Sequence, residues 1–283
     1  MASNTEFQII GNQGWLQGFA NLFKKESERW FKPRKWLVQT LIWLVIVNGI
    51  LAMVLWVMPG VTADAAQKDP QVASMVAGGI DLAMMALSVF ISLLGMACTI
   101  GVVIMTQDAI IMEKQSGTAA WVLSKPASRS AFILSKLASS IVGILVTIIL
   151  VQGAVAYLQL FLATGVALPI LPFLGALGVT FLCLLFYLSL ALMLGTIFNA
   201  RGGVIAIPLV VAFSYQILMG IAPWLMEIMP WNLTTMLNAE KPALAMIVAL
   251  GQPLTTVGPI IGAVIGCLVF TAVALWKFRR EEF

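Results

Sequence analysis

Long uncharged apolar runs dominate the chain, and short polar segments separate them. The run from Trp36 to Met58 holds 23 residues and no charged side chain, and a helix that crosses a membrane needs about 20 such residues. The pattern predicts an all-α membrane protein with six transmembrane helices. We place them at Trp36–Met58, Leu82–Thr106, Leu137–Ala163, Leu171–Ile197, Val204–Met226 and Val257–Trp276.

The segment before the first run has a different period. Between Trp15 and Lys32, apolar side chains recur at about 100° per residue, with basic side chains on the other face and Glu26 as an acidic exception on the apolar face. A basic helix of this kind lies in the membrane interface, and Pro33 permits a sharp turn into the first span. Residues 1–35 are therefore expected to form a tail and an interfacial elbow helix, which is either a plain anchor or an element that packs against moving spans.

The region 227–256, before the last span, mixes turn residues with short apolar runs that Pro230, Pro242 and Pro253 interrupt. Apolar runs of about 10–14 residues are typically re-entrant or interfacial. We expect two short re-entrant helices here and no independent soluble domain. Residues 36–283 would then form one six-helix transmembrane domain.

The last predicted span carries Gly258, Gly262 and Gly266, spaced four residues apart. This spacing puts the three glycines on one stripe of the helix, where small residues allow another element to approach closely. We expect the stripe to serve packing within the chain, with a contact between subunits as the alternative.

Charge gives the orientation. The chain is 61% apolar and only 10% charged, whereas soluble domains average about 25%. Lys and Arg accumulate on the cytoplasmic side of membrane proteins, and with both termini inside, all basic residues except Lys68 and Lys241 fall on inner segments. We predict a multi-pass protein of the plasma (inner) membrane with cytoplasmic termini. The basic residues are scattered over four inner segments, which indicates topology and contact with membrane lipids, not nucleic acid.

Catalytic chemistry is not indicated. The chain has no His, and its three cysteines all fall within predicted spans, which argues against a disulfide framework. It lacks the phosphate-binding pattern G-x-x-x-x-G-K-[ST], and no span carries the central charge that ion-driven carriers usually need. We therefore expect no catalytic, cofactor or metal site in this chain. Any transport would need an energy source outside it.

The inner segment 107–135 is charged and broken by proline. Its stretch "GTAAWVLSK" can form a helix of about two turns, which Pro126 ends because a residue before proline avoids helical geometry. Ser128 can then cap the following helix. Trp121, Val122 and Leu123 give the short helix an apolar surface, and a loop that needed only solubility would have no use for Trp121 or Leu123. An apolar knob with charged flanks suits docking into a groove of a soluble protein.

This segment resembles the inner loop of the permease subunits of type-2 ABC exporters. The resemblance rests on a glutamate, Gly-Thr, Leu-Ser-x-Pro-x-Ser-Arg and a later lysine, which are here Glu113, Gly117, Thr118, Leu123, Ser124, Pro126, Ser128, Arg129 and Lys136. It extends to the elbow helix, the six spans and the re-entrant helices.

The resemblance implies a permease that forms an export pathway as a dimer, with a second copy or a homologous permease. It also implies two copies of a cytoplasmic ATP-binding subunit, which carry ATP and Mg²⁺ and dock on the short coupling helix. The expected docking residues are Glu113, Gly117, Thr118, Trp121, Leu123, Ser124, Pro126 and Arg129. The alternative is a membrane scaffold or assembly subunit that recruits a cytoplasmic protein without transport, because the same loop would serve it.

Overall fold

The computed structural model describes residues 14–71, 81–124, 127–237 and 242–281, and this part of the chain contains helices and no strands. The helices are α1 (Phe19–Phe31), α2 (Pro33–Ala66), α3 (Leu82–Thr106), α4 (Asp108–Gln115), α5 (Thr118–Leu123), α6 (Arg129–Thr164), α7 (Ile170–Ile197), α8 (Arg201–Phe213), α9 (Tyr215–Ile221), α10 (Trp231–Thr234), α11 (Leu244–Ala249) and α12 (Gly258–Arg279).

Five helical stretches are long and apolar enough to cross a membrane, and the bent pair α8–α9 makes a sixth if it is one span. The predicted all-α membrane class is therefore confirmed. α7 is central: it contacts α3, α8, α11 and α12 and has the largest buried share of the candidate spans.

α2 begins sharply, as predicted, because Lys32 leaves helical geometry just before Pro33. It then continues past the expected end at Met58 to Ala66. A π-helical turn at Met53–Val57 ends two residues before Pro59. Proline lacks the N–H that an α-helix would use, and the wider turn absorbs the missing hydrogen bond without breaking the helix. The helix therefore includes residues 59–66, which lie beyond the end of the predicted span.

A buried amide pair joins α2 to α6. Asn48 ends a π-helical turn at Leu44–Asn48, and Gln152 follows another at Leu145–Leu150. Asn48 Nδ2 donates to Gln152 Oε1 over 2.7 Å, and Gln152 Nε2 donates to the Thr147 carbonyl over 3.2 Å. Since a buried amide without partners is costly, these bonds fix how the two helices face each other.

The fifth predicted span, Val204–Met226, is not one straight helix. α8 and α9 meet at 54° around Ser214, and a 3₁₀ turn at Pro223–Glu227 follows. The Val211 carbonyl accepts hydrogen bonds from Ser214 Oγ (3.0 Å) and Trp231 Nε1 (2.7 Å). These side chains satisfy a carbonyl at the point where the helix bends, which allows the break inside a membrane-embedded element.

The region 227–256 forms two short helices, α10 and α11, within its described part. α11 buries Leu244, Ala245 and Ile247 and packs against α7. The described residues of this region are therefore packed against the other helices.

The glycine stripe of α12 faces this region and α7. A Cβ atom at Gly258 or Gly262 would overlap the carbonyl oxygen of Glu227 or Ile228, and one at Gly266 would press on the Phe186 ring. All three close approaches are to the same chain.

Candidate functional site

The segment 107–135 lies at the end of the helices where most of the basic residues collect. α4 follows α3 almost directly, and α5 begins after Gly117, whose φ of +71° is left-handed. A Cβ at Gly117 would meet nothing within 4 Å. The backbone conformation, and not lack of space, is what favours glycine here.

α5 is the short helix that the sequence predicts, and its two sides differ. Ala119 and Val122 are buried against the chain, whereas the Trp121 side chain is 61% exposed. Ser124 Oγ donates to the Trp121 carbonyl over 2.8 Å and closes the end of the helix. At its start, the hydroxyls of Thr118 and Ser116 lie 2.8 Å apart. The Leu123 side chain, Lys125 and Pro126 lie outside the described residues.

Ser128 caps α6, as predicted: its Oγ accepts from the backbone N–H of Ala131 over 3.0 Å. The same hydroxyl donates to the Trp15 carbonyl over 2.6 Å, and the Ser128 N–H donates to the Gln17 carbonyl over 3.0 Å. The turn before α1 is therefore fastened to the loop that follows α5.

Glu113 points into the chain, toward a buried lysine on α6. Lys136 Nζ lies 2.8 Å from Glu26 Oε1 and 3.0 Å from Glu113 Oε2, and its side chain is only 1% exposed. Lys25 Nζ lies 3.7 Å from the other oxygen of Glu113. One lysine thus connects the elbow helix α1, the inner segment α4 and the span α6. A charge this deeply buried needs such partners, since desolvation of an isolated ammonium is very costly.

Arg129 also contacts its own chain. Its Nη1 donates to the carbonyls of Arg279 (2.6 Å) and Glu281 (2.8 Å), beyond the last turn of α12. Lys114 Nζ lies 2.5 Å from Glu281 Oε1 and 3.3 Å from the Thr196 carbonyl at the end of α7. These contacts join the segment to the end of α12 and to α7.

A second link leads to the start of α8. Arg201 Nε lies 2.8 Å from Asp108 Oδ1, and Gln115 Nε2 donates to the Asn199 carbonyl over 2.8 Å. α4 is therefore tied by polar side chains to four of the spans as well as to α1.

The structure thus separates the residues expected to dock. The Trp121 side chain is largely exposed, and Glu113 and Arg129 make ion pairs or hydrogen bonds within the chain. Glu26, Lys114 and Glu281, which complete the network, were not among the expected residues. One indication of this network was present in the sequence, because Glu26 is an acidic residue on an otherwise apolar helix face. Among the described residues, no group of His, Cys, Asp or Glu side chains is arranged to hold a metal ion.

The fold is that of a multi-pass membrane protein in which polar side chains join the ends of several helices at one end of the molecule. Comparison with known families matches residues 20–283 to the ABC-2 family transporter protein. The chain therefore belongs to the ABC-2 family and is a membrane permease subunit of an ABC transporter, the class that works with an ATP-binding subunit. No curated protein matches this chain.

Proposed function

We propose that this permease serves an ATP-driven exporter and that α5 is its coupling helix. Two cytoplasmic ATP-binding subunits dock below a dimer made of this chain and a second copy or a homologous permease. They carry ATP and Mg²⁺ and perform the hydrolysis. The chain lies in the plasma (inner) membrane with both termini in the cytoplasm.

The exposed side chain of Trp121 is the observation that carries the proposal. α5 buries Ala119 and Val122 and so has a fixed orientation, while it presents a large indole at the charged end of the molecule. Tryptophan is enriched among the residues that dominate protein–protein binding energy. Burying a large apolar side chain is worth roughly 1.5–3 kcal/mol. A partner groove that receives Trp121 would therefore gain a substantial part of its affinity there.

The polar network supports the coupling role. Movement of α5 pulls on α4, and α4 is joined through Glu113 and Lys136 to α1 and α6. Lys114 joins it to the ends of α7 and α12. A docked subunit that binds two conformations with different affinity shifts their populations. The network gives such a shift a direct mechanical route to the spans.

The test is co-purification of the ATP-binding subunit with Trp121→Asp. We expect the variant to insert normally into the membrane, because no span changes. The amount of ATP-binding subunit that co-purifies with it should fall by about ten-fold or more, because the burial of one large apolar side chain is lost. Trp15→Asp is the matched control. The Trp15 side chain is similarly exposed but lies outside α5. Trp15→Asp should therefore leave docking of the ATP-binding subunit unchanged.

Measuring ATP hydrolysis in the same preparations separates transport from recruitment. If the chain is a coupled permease, the transported substrate should change the rate of ATP hydrolysis by the wild-type complex. This response to substrate should disappear in Trp121→Asp. A scaffold would lose its partner in the variant but would show no such response in the wild type. Wild-type affinity in a correctly inserted Trp121→Asp would refute the docking role.

A further inference from the structure

A polar cavity of about 180 Å³ lies beside the buried Lys136, among α1, α2, α3 and α6. Its wall includes Arg29 from α1 and Lys35 from the start of α2. Thr106 and Ser140 also line it, and both are almost fully buried. Arg29 and Lys35 are exposed, whereas Thr106, Lys136 and Ser140 are buried, so the cavity has a buried floor and opens to the surface at its two exposed cations.

The cavity carries excess positive charge. Lys136 is held by Glu26 and Glu113. In contrast, Arg29 and Lys35 make no ion pair within the part of the chain that the structure describes. These two cations line the same cavity, which makes it electrostatically complementary to an anion.

An apolar groove of about 410 Å³ lies between α2 and α3 and shares the lining residues Gln39 and Met105 with the polar cavity. Ile42, Ile46 and Ile100 are among the apolar residues that line it. From Lys35 to Ile46 the α2 axis advances by about 16 Å at 1.5 Å per residue. The basic cavity beside the elbow helix and the apolar groove between the two spans therefore adjoin each other.

The shared residue Gln39 adds a polar feature at the junction. Its Oε1 atom is buried and has no hydrogen-bond donor among the described residues. A hydroxyl or ammonium group in the cavity could donate to it. A phosphate joined through an esterified glycerol to hydrocarbon chains is the chemistry of a glycerophospholipid, and the headgroup of phosphatidylglycerol also carries hydroxyl groups that can donate hydrogen bonds.

We propose that this adjoining cavity and groove bind one anionic phospholipid from the leaflet in which α1 lies. Its phosphate sits between Arg29 and Lys35, and one acyl chain follows the groove past Ile42, Ile46 and Ile100. Basic pockets between transmembrane helices are a recurrent way to hold anionic headgroups. The site is separate from the docking surface on α5 and does not depend on export, dimer formation or the ATP-binding subunit.

The experiment is native mass spectrometry of the purified full chain, titrated with phosphatidylglycerol. Arg29→Gln/Lys35→Gln should weaken the tightest phosphatidylglycerol binding by about ten-fold or more, since each basic residue near a membrane surface contributes measurably to anionic lipid attraction. Lys24→Gln/Arg34→Gln is the matched control. It removes two cations from the same two helices, but neither of them lines the cavity.

A second pair of variants tests the groove. Ile46→Trp should fill it and weaken phosphatidylglycerol binding to a similar degree, whereas Val45→Trp adds the same bulk to a neighbouring residue outside the groove and should not. Phosphatidylcholine should bind more weakly than phosphatidylglycerol, and millimolar inorganic phosphate should not displace the lipid. Unchanged lipid binding in both pocket and groove variants, equal losses in the controls, or displacement by inorganic phosphate alone would overturn the proposal.

Discussion

Lys136 shows how one buried side chain organises the inner end of the molecule. It lies seven residues after Arg129, where α6 begins, and its two carboxylate partners come from α1 and α4. Its Nζ also lies over the Phe132 ring, 4.9 Å from the ring centroid. The side chain therefore combines ion pairs with a cation–π contact at one position.

Replacing this lysine should be far more damaging than replacing its exposed neighbour. Lys136→Ala leaves Glu26 and Glu113 without their buried cation, and breaking a buried pair costs about 3–5 kcal/mol. Lys25→Ala removes a cation that is half exposed and 3.7 Å from Glu113, and such surface pairs contribute about 0–1 kcal/mol. Thermal unfolding in detergent should show a large drop in Tm for the first variant and little change for the second.

The origin of that loss can be tested with neutral carboxylate analogues. Adding Glu26→Gln and Glu113→Gln to Lys136→Ala removes the uncompensated charges and should recover much of the lost Tm. A triple variant that is no more stable than Lys136→Ala would contradict the assigned electrostatic cause.

At the residue scale, the sequence pointed to one partner of this buried ion pair, Glu26, and not to the other. Glu26 stands out because it interrupts the apolar face of a helix, so a buried partner could be suspected. Its identity could not be predicted, because Lys136 is 110 positions away in the chain and several inner lysines were equally available. The same holds for Arg129, whose binding to the α12 carbonyls depends on where the last helix ends.

At the scale of elements, the helices depart from regular geometry where side chains offer other hydrogen bonds. The pattern of apolar residues predicted where spans occur, but it carries no information on π-helical turns or on the break at Ser214. The break depends on Trp231, an aromatic residue from a separate short helix that reaches the Val211 carbonyl. Such a contact is set by tertiary packing, which overrides local periodicity.

The glycine stripe of α12 gives a prediction at this scale. Gly262→Ala would place a methyl group against the Ile228 backbone carbonyl, which cannot move as a flexible side chain can. Overpacking typically costs about 1–3 kcal/mol, which exceeds the gain of up to about 1 kcal/mol when alanine replaces glycine in a helix. Tm should therefore fall.

Gly178→Ala is the control for this prediction. Gly178 lies within α7, and a Cβ there meets nothing within 4 Å, so helix propensity alone should act and Tm should stay or rise. An unchanged Tm for Gly262→Ala would show that the stripe is not closely packed.

At the scale of the whole molecule, polar contacts bring together basic residues that the charge pattern assigns to the same side of the membrane. Lys114 and Lys136 come from one predicted inner segment and Arg201 from another, and the structure brings all three to one end through contacts with Glu281, Glu113 and Asp108. The six-span plan could be predicted because hydrophobic length and charge bias are imposed by the membrane itself. The packing of the spans around α7 could not, since it depends on side-chain fit.

This arrangement predicts opposite labelling of two positions. In a background without Cys98, Cys183 and Cys267, Arg201→Cys should react with a membrane-impermeant thiol reagent only from the cytoplasmic face. Lys68→Cys should react only from the outer face. Both side chains lie in exposed surroundings, so access should not limit the reaction. Labelling of both from one face would contradict the six-span topology.

The central claim is that α5 is the surface on which the ATP-binding subunit docks, and a photoreactive amino acid in place of Trp121 tests it most directly. In membranes that contain the intact transporter, the account predicts a cross-link from this position to the ATP-binding subunit. It predicts none from the same probe in place of Trp15 or of Trp224, an exposed residue in the 3₁₀ turn after α9. A complex that assembles normally but gives no cross-link at 121, or that cross-links equally from all three positions, would contradict the account.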